Sequence, residues 1–344
     1  MSKDKVRPLL FRPGAQYTCF GDGLCCTDIH GLGPLTKKEL VQIRKIDRDG
    51  AHWDDEFEDR MLKPATDGGC HFLMEDLRCR VHAEHGPEAK PDGCRRFPLG
   101  LIATPDGGRV TTMHRCPCRT MGERPDLKEE DVLPSIADSS GRPKADDRVS
   151  KVKIRRKGKK VSWSEWKAIE ADVLDRLADG ETPEDVLDAE PFPRLKKTSW
   201  EEQHGEIIED ALDGSAFGIA AGWFAEIMRG LVDPEYRARP PHMRPWARSF
   251  DRAEKRVGRS RTADEVLSDW VSDEVWSMKW HDLGGWDVMR ADLATRLSIA
   301  RAIIDLLVEE HALKPGRAAA EAVMIVELIG ESDFWNEIHD AMRV

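Results

Sequence analysis

The sequence predicts a mainly α protein. An irregular, loop-rich N-terminal domain of α+β character, with small hairpins and a cysteine cluster, precedes an all-α C-terminal domain. Three observations carry this expectation. All eight cysteines lie between Cys19 and Cys118, and glycine and proline punctuate the same stretch in "GLGPL", "TDGGC", "KPDGC" and "TPDGG". From Ser162 onward, helix-start signatures and apolar spacings of three and four recur. The expected boundaries are 1–130 for the cysteine-cluster domain, 131–161 for a polar linker with a basic hairpin, and 162–344 for the helical domain.

Taken in chain order, the first credible helix follows the capping box Thr36-x-x-Glu39 and runs to about Asp47, where "DRDG" stops it. A second short helix is expected over "DDEFEDRML". "GLIATPDGGRVTTM" reads as a hairpin, with two apolar or β-branched runs around Pro105-Asp106-Gly107-Gly108. Residues 121–150 are polar and rich in Pro, Asp and Glu, which reads as a connector. Seven of the ten residues from Lys151 to Lys160 are basic, with Gly158 between two short alternating runs, so a further hairpin is expected there.

Four helix-start signatures follow at Ser162-x-x-Glu165, Thr182-Pro-Glu-Asp185, Ser199-x-x-Glu202 and Thr262-x-x-Glu265. Leu293, Leu297, Ala300, Ile304, Leu307 and Val308 then form one amphipathic face that is expected to end at Lys314-Pro315-Gly316. Ten of the eleven tryptophans fall in this half, where packing between helices is their default role and a groove for a protein substrate or partner the sharper one.

The totals exclude several classes. A net charge of −11 over 344 residues is not that of a nucleic-acid binder, and the one basic run lacks interleaved aromatics that would stack on bases. No apolar run approaches a membrane span, and "MSKDKVRPLLFRPG" lacks the apolar stretch of a signal peptide. The expected compartment is a reducing, bacterial-type cytoplasm, with no membrane partner. A chain this long needs no disulfides to fold.

Eight thiols confined to one region of a cytoplasmic chain point to metal binding or redox chemistry. Thiolates are soft ligands suited to zinc, copper(I) and iron–sulfur clusters, which need several side chains converging from loops. The candidate ligands are Cys19, Cys25, Cys26, Cys70, Cys79, Cys94, Cys116 and Cys118, with Asp22, His71 and His114 as weaker ones. Adjacent Cys25 and Cys26 diverge in an extended chain, so both can ligate only where the backbone folds tightly; otherwise one of the pair is expected to ligate while the other lies behind it or in a separate site. No C-x2-C, HExxH, P-loop or radical-type C-x3-C-x2-C spacing occurs. Arg78, Arg80, Arg95, Arg96, Arg115 and Arg119 lie within two residues of a cysteine, either to offset thiolate charge or to pair with local acids.

"YTCFGDGLCC", "LTKKELVQI", "GGCHFLMEDLRCRVH" and "DGCRRFP" follow one another in an order that resembles the CxxCxxCC cysteine-cluster family. That family is described as zinc- or iron-chelating, and flagellin lysine-N-methylases carry the same domain. The resemblance covers roughly residues 15 to 120. It implies a bound metal, with Cys94 in the Cys-Arg-x-Phe-Pro signature as its leading ligand, followed by Cys25, Cys26, Cys70 and Cys79. The family's second cysteine falls on Asp22 here: the aspartate coordinates, or Cys116 or Cys118 replaces the lost thiolate, or the position is no ligand. The expected cofactor is an iron–sulfur cluster or zinc. The alternatives are an S-adenosylmethionine-dependent protein lysine N-methyltransferase and a structural-zinc interaction module; whether the chain is an enzyme stays open.

Overall fold

The computed structural model describes residues 6–55, 57–65, 68–138, 140–211 and 214–344. The chain is mainly α, with fourteen helices among the described residues and small sheets confined to its first half. Helix α1 (Lys37–Ile46) starts where the sequence says. The Thr36 side chain accepts from the Glu39 amide, and Glu39 reaches back to the Thr36 amide. This reciprocal cap satisfies two of the amides that a helix start leaves unpaired.

The helix expected over 54–62 does not form. Strands β2 (Ala51–Asp54) and β3 (Asp59–Leu62) pair antiparallel instead, Ala51 opposite Leu62; Glu56 lies outside the described residues. Pairing buries Met61 and Leu62 and lets the Leu62 amide donate to Leu32 O at 2.8 Å. A short acidic helix there has no comparable burial to offer. Two short helices follow, α2 (Arg80–His85) and α3 (Asp92–Arg96).

The "PDGG" hairpin is present as β4 (Leu99–Ala103) and β5 (Gly108–Thr112). With β1 (Leu9–Leu10) and β6 (Asp147–Arg148) it makes a sheet of order β1-β5-β4-β6, in which the two outer pairings are parallel. Helix α4 (Pro117–Thr120) follows the hairpin. The polar stretch after it carries helix α5 (Glu129–Ile136), which buries Val132 and Ile136 against Leu99, Leu101 and Val110. The basic segment forms the small hairpin β7 (Val152–Lys153) and β8 (Lys160–Val161).

Nine helices complete the chain: α6 (Trp163–Ala178), α7 (Pro183–Leu187), α8 (Trp200–Asp210), α9 (Ala216–Val232), α10 (Ala247–Glu254), α11 (Ala263–Ser277), α12 (Trp286–His311), α13 (Pro315–Gly330) and α14 (Asp333–Ala341). Ser162, Ser199 and Thr262 each make the full reciprocal cap, and Thr182 accepts from the Asp185 amide with Pro183 in the first turn. Helix α13 is buried on every side from Arg317 to Ile329, as the central rod of the bundle must be, and packs on α9, α11 and α12.

One boundary moves. Lys314-Pro315-Gly316 does not stop α12, which ends at His311 with Ala312 in the left-handed region. Pro315 opens α13, and a Cβ on Gly316 would sit 1.8 Å from the Arg261 carbonyl oxygen. Proline suits a first helical position because its missing N–H has no partner to lose there. Nine of the ten tryptophans in 162–344 are buried. No helix among the described residues is long and apolar enough to cross a membrane.

Candidate metal centre

The eight cysteines gather in two groups. Cys25, Cys26, Cys70, Cys79 and Cys94 line one small cavity of about 20 Å³. Its other walls are Leu32, Ile43, Leu62, Phe72, Val81 and Pro91, with Lys90 as the one cation. Four loops and helix ends supply the five sulfurs. Cys25 and Cys26 sit on a single 3₁₀ turn, Leu24–Cys26, entered through Gly23 at φ 87°. A Cβ on Gly23 would lie 2.7 Å from the Leu77 Cβ, so glycine meets both the backbone angle and the close approach. The tight turn brings the neighbouring sulfurs within 4.0 Å of each other. The turn is the tight backbone fold that lets both sulfurs face one site, in place of the extended chain in which they diverge.

The Cys70 amide donates to Cys26 O at 2.7 Å, which locks the second loop to the first. Cys79 pairs with Leu73 across an antiparallel bridge and caps α2, while Cys94 rides on α3. The four cysteines other than Cys25 belong to the same apolar cluster as Ile43, Leu62 and Phe72. The thiols are unequal. Cys79 is pulled below its ordinary value by the hydrogen bond from Cys26, against burial, and helped by the His82 and Val81 amides and by Lys90. Hydrogen bonds to Cys25 and Cys79, with burial, hold Cys26 well above it. Burial pushes Cys70 up to about 11 and Cys94 up to about 12. A soft cation entering this pocket displaces those protons, so its affinity rises with pH.

The second group is mixed. Single ligand atoms of Asp22, Cys116 and Cys118 all lie within 4.8 Å of one another. The Cys118 thiol donates to Asp22 Oδ2 at 2.6 Å, and the Phe20 amide donates to the same sulfur at 3.2 Å. Asp22 Oδ1 is held by the Leu24 amide at 2.9 Å. Cys19 hydrogen-bonds to Cys118, and that bond, first among several causes, holds the Cys19 thiol far above its ordinary value. Burial raises Asp22 as well.

His71 and His114 join neither sulfur group. His71 Nε2 lies 2.9 Å from Asp47, which also pairs with Arg80. His114 Nε2 lies 2.9 Å from Asp273, inside a buried network in which Arg12 and Arg119 hold Asp269 and Asp273. Those guanidiniums already supply the positive charge that a cation bound there would bring. The arginines next to cysteines pair with acids: Arg78 with Asp76, Arg95 with Asp92, Arg96 with Asp146, Arg115 with Glu331.

The cations that do face sulfur are Lys90 and Arg124, and sequence proximity picks out neither. Arg124 donates to Cys118 O at 3.2 Å and stacks on Phe20 at 4.5 Å. A further cleft of about 870 Å³ runs between the first residues and the bundle, lined in part by Arg12, Arg109, Glu170, Asp269 and Trp276. No protein-family model, curated protein or solved structure matches this chain.

Proposed function

We propose that the chain is a metal-binding cysteine-cluster protein of the CxxCxxCC type. In this reading an irregular domain over 1–130 carries the metal, and the all-α domain over 162–344 buttresses it. The observation that carries the reading is the convergence of five sulfurs from four separate stretches, with no oxygen or imidazole ligand among the described residues that line it, on one apolar cavity beside a single lysine. An all-sulfur set suits zinc or an iron–sulfur cluster and disfavours hard cations. A cavity of about 20 Å³ is the size of one ion or one water, which favours a single zinc over a cluster. Cys26, Cys70, Cys79 and Cys94 would hold it, with Lys90 offsetting the excess negative charge. Bound there, the metal would cross-link four chain segments.

The test is iron, zinc and acid-labile sulfide analysis of protein purified without oxygen, beside Cys94→Ser. The expected result is stoichiometric metal in the parent and loss of that equivalent in the variant. Iron matched by sulfide would replace zinc with a cluster, and a metal-free parent would end the proposal.

The second reading, an S-adenosylmethionine-dependent protein methyltransferase, is favoured by one feature. The cleft beside Trp276, at about 870 Å³, falls in the range of small-molecule sites. Its arginines are already engaged, Arg109 with both Glu170 oxygens and Arg12 with Asp269 and Asp273. A thermal shift on adding S-adenosylmethionine would support this reading, and none at saturating ligand would end it.

A further inference from the structure

We propose that Cys19, Asp22, Cys116 and Cys118 form a second cation site, separate from the five-sulfur pocket, with a three-thiolate, one-carboxylate set suited to zinc. The site shares no ligand with that pocket, so either can fail without the other.

Three side chains meet there, with Cys19 beside them, from two stretches about a hundred residues apart. Asp22, Cys116 and Cys118 offer ligand atoms within 4.8 Å of one another, and Cys19 touches Cys118. The edge of a tetrahedral zinc sphere with such ligands is about 3.5 to 3.8 Å, so small side-chain rotations suffice. Both chain segments are already shaped for the role. Gly21 and Gly23 take φ 64° and 87° and turn the loop around Asp22. The Leu24 amide occupies one carboxylate oxygen and leaves Oδ2 facing Cys118. The Phe20 amide points at the Cys118 sulfur, the hydrogen bond a metal-bound thiolate needs from its surroundings.

Charge gives an independent argument. Three thiolates and a carboxylate carry four negative charges, a dication leaves two, and Arg124 removes one more. Arg124 is buried, and its Nη2 has no hydrogen-bond partner. A buried guanidinium with an unused donor is costly unless negative charge lies beside it. The mixed set also accounts for the departure at Asp22. A carboxylate is an acceptable zinc ligand, yet fits an all-thiolate cluster poorly.

The experiment uses the full chain, stripped of metal under reducing conditions and titrated with zinc alone, then with cobalt(II) to read thiolate charge-transfer absorption. The parent is expected to bind two equivalents. Asp22→Ala and Cys116→Ser should each lose one and keep the equivalent that Cys94→Ser removes, and Cys94→Ser should keep the one they lose. Cys19→Ser alters an exposed residue; should the buried variants unfold, its selective weakening of the same equivalent by about tenfold or more carries the test. Two results overturn the proposal: zinc binding unchanged in Asp22→Ala, Cys116→Ser and Cys19→Ser, or the same single equivalent lost in those variants and in Cys94→Ser. If Cys94→Ser loses nothing while Asp22→Ala loses one equivalent, the five-sulfur reading fails and this one stands.

Discussion

The two sulfur groups are built by different means. The five-sulfur pocket is assembled within residues 25–94 around its own apolar cluster, where Ile43, Leu62 and Phe72 pack beside four cysteines. The mixed group hangs on polar contacts and on the bundle. Cys118 lies on α4, whose Arg119 is fully buried and paired with Asp269 and Asp273 of α11. The first group is therefore positioned by local hydrophobic packing, and the second by long-range ion pairs. Sulfur-bearing clusters in one chain can rest on quite different mechanical supports.

The largest expected effect breaks the second support. Arg119→Ala leaves Asp269 and Asp273 short of a buried partner and should cost about 3–5 kcal/mol. Urea unfolding measures it. Metal binding should weaken at the mixed group and persist at the five-sulfur pocket; equal loss at both would show that the two are one mechanical unit.

A pH effect comes next. Burial, with Glu331 and Glu274 nearby, raises Glu327 to about 8, and its Oε2 accepts the Arg115 amide next to Cys116. The folded chain holds this proton where the unfolded chain, titrating near the ordinary 4.5, has released it. Folded-state stability from this group therefore falls as pH rises from about 4.5 to about 8. Glu331 shifts the opposite way, to about 2, and acts below that window. Glu327→Gln should remove the dependence, so its Tm advantage over the parent should grow between pH 5 and pH 8. A constant difference would mean that Glu327 is already ionised in the fold.

The smallest effect sharpens the first support. Thr36→Ala deletes the cap of α1, the helix that places Ile43 on the pocket wall. It should cost about 1 kcal/mol and leave zinc binding at the mixed group unchanged. A loss confined to the mixed group would reverse the assignment of supports.

Much of the fold was legible beforehand because its cues are short-range. Thr36, Ser162, Ser199 and Thr262 cap helices three residues ahead of their partner glutamates, and Pro105 to Gly108 turn a hairpin. Where short-range cues conflicted with burial, burial won, as in β2 and β3. Glu327 was missed, although a lone carboxylate inside the apolar run "AVMIVELIG" is the kind of signal that marks a buried ionisable group. Lys90 and Arg124 carried no such signal, since no neighbour in sequence distinguishes them from the other cations.

By itself, then, the sequence determined a mainly helical chain whose thiols are confined to its first third, because caps, turns and composition act over a few residues. Only the tertiary structure decided which sulfurs meet, that Cys25 and Cys26 converge, and that Asp22 faces Cys118 across a separation of 96 residues. Contacts of that span depend on how whole elements pack, and packing is a property of the folded surface that no local spacing encodes.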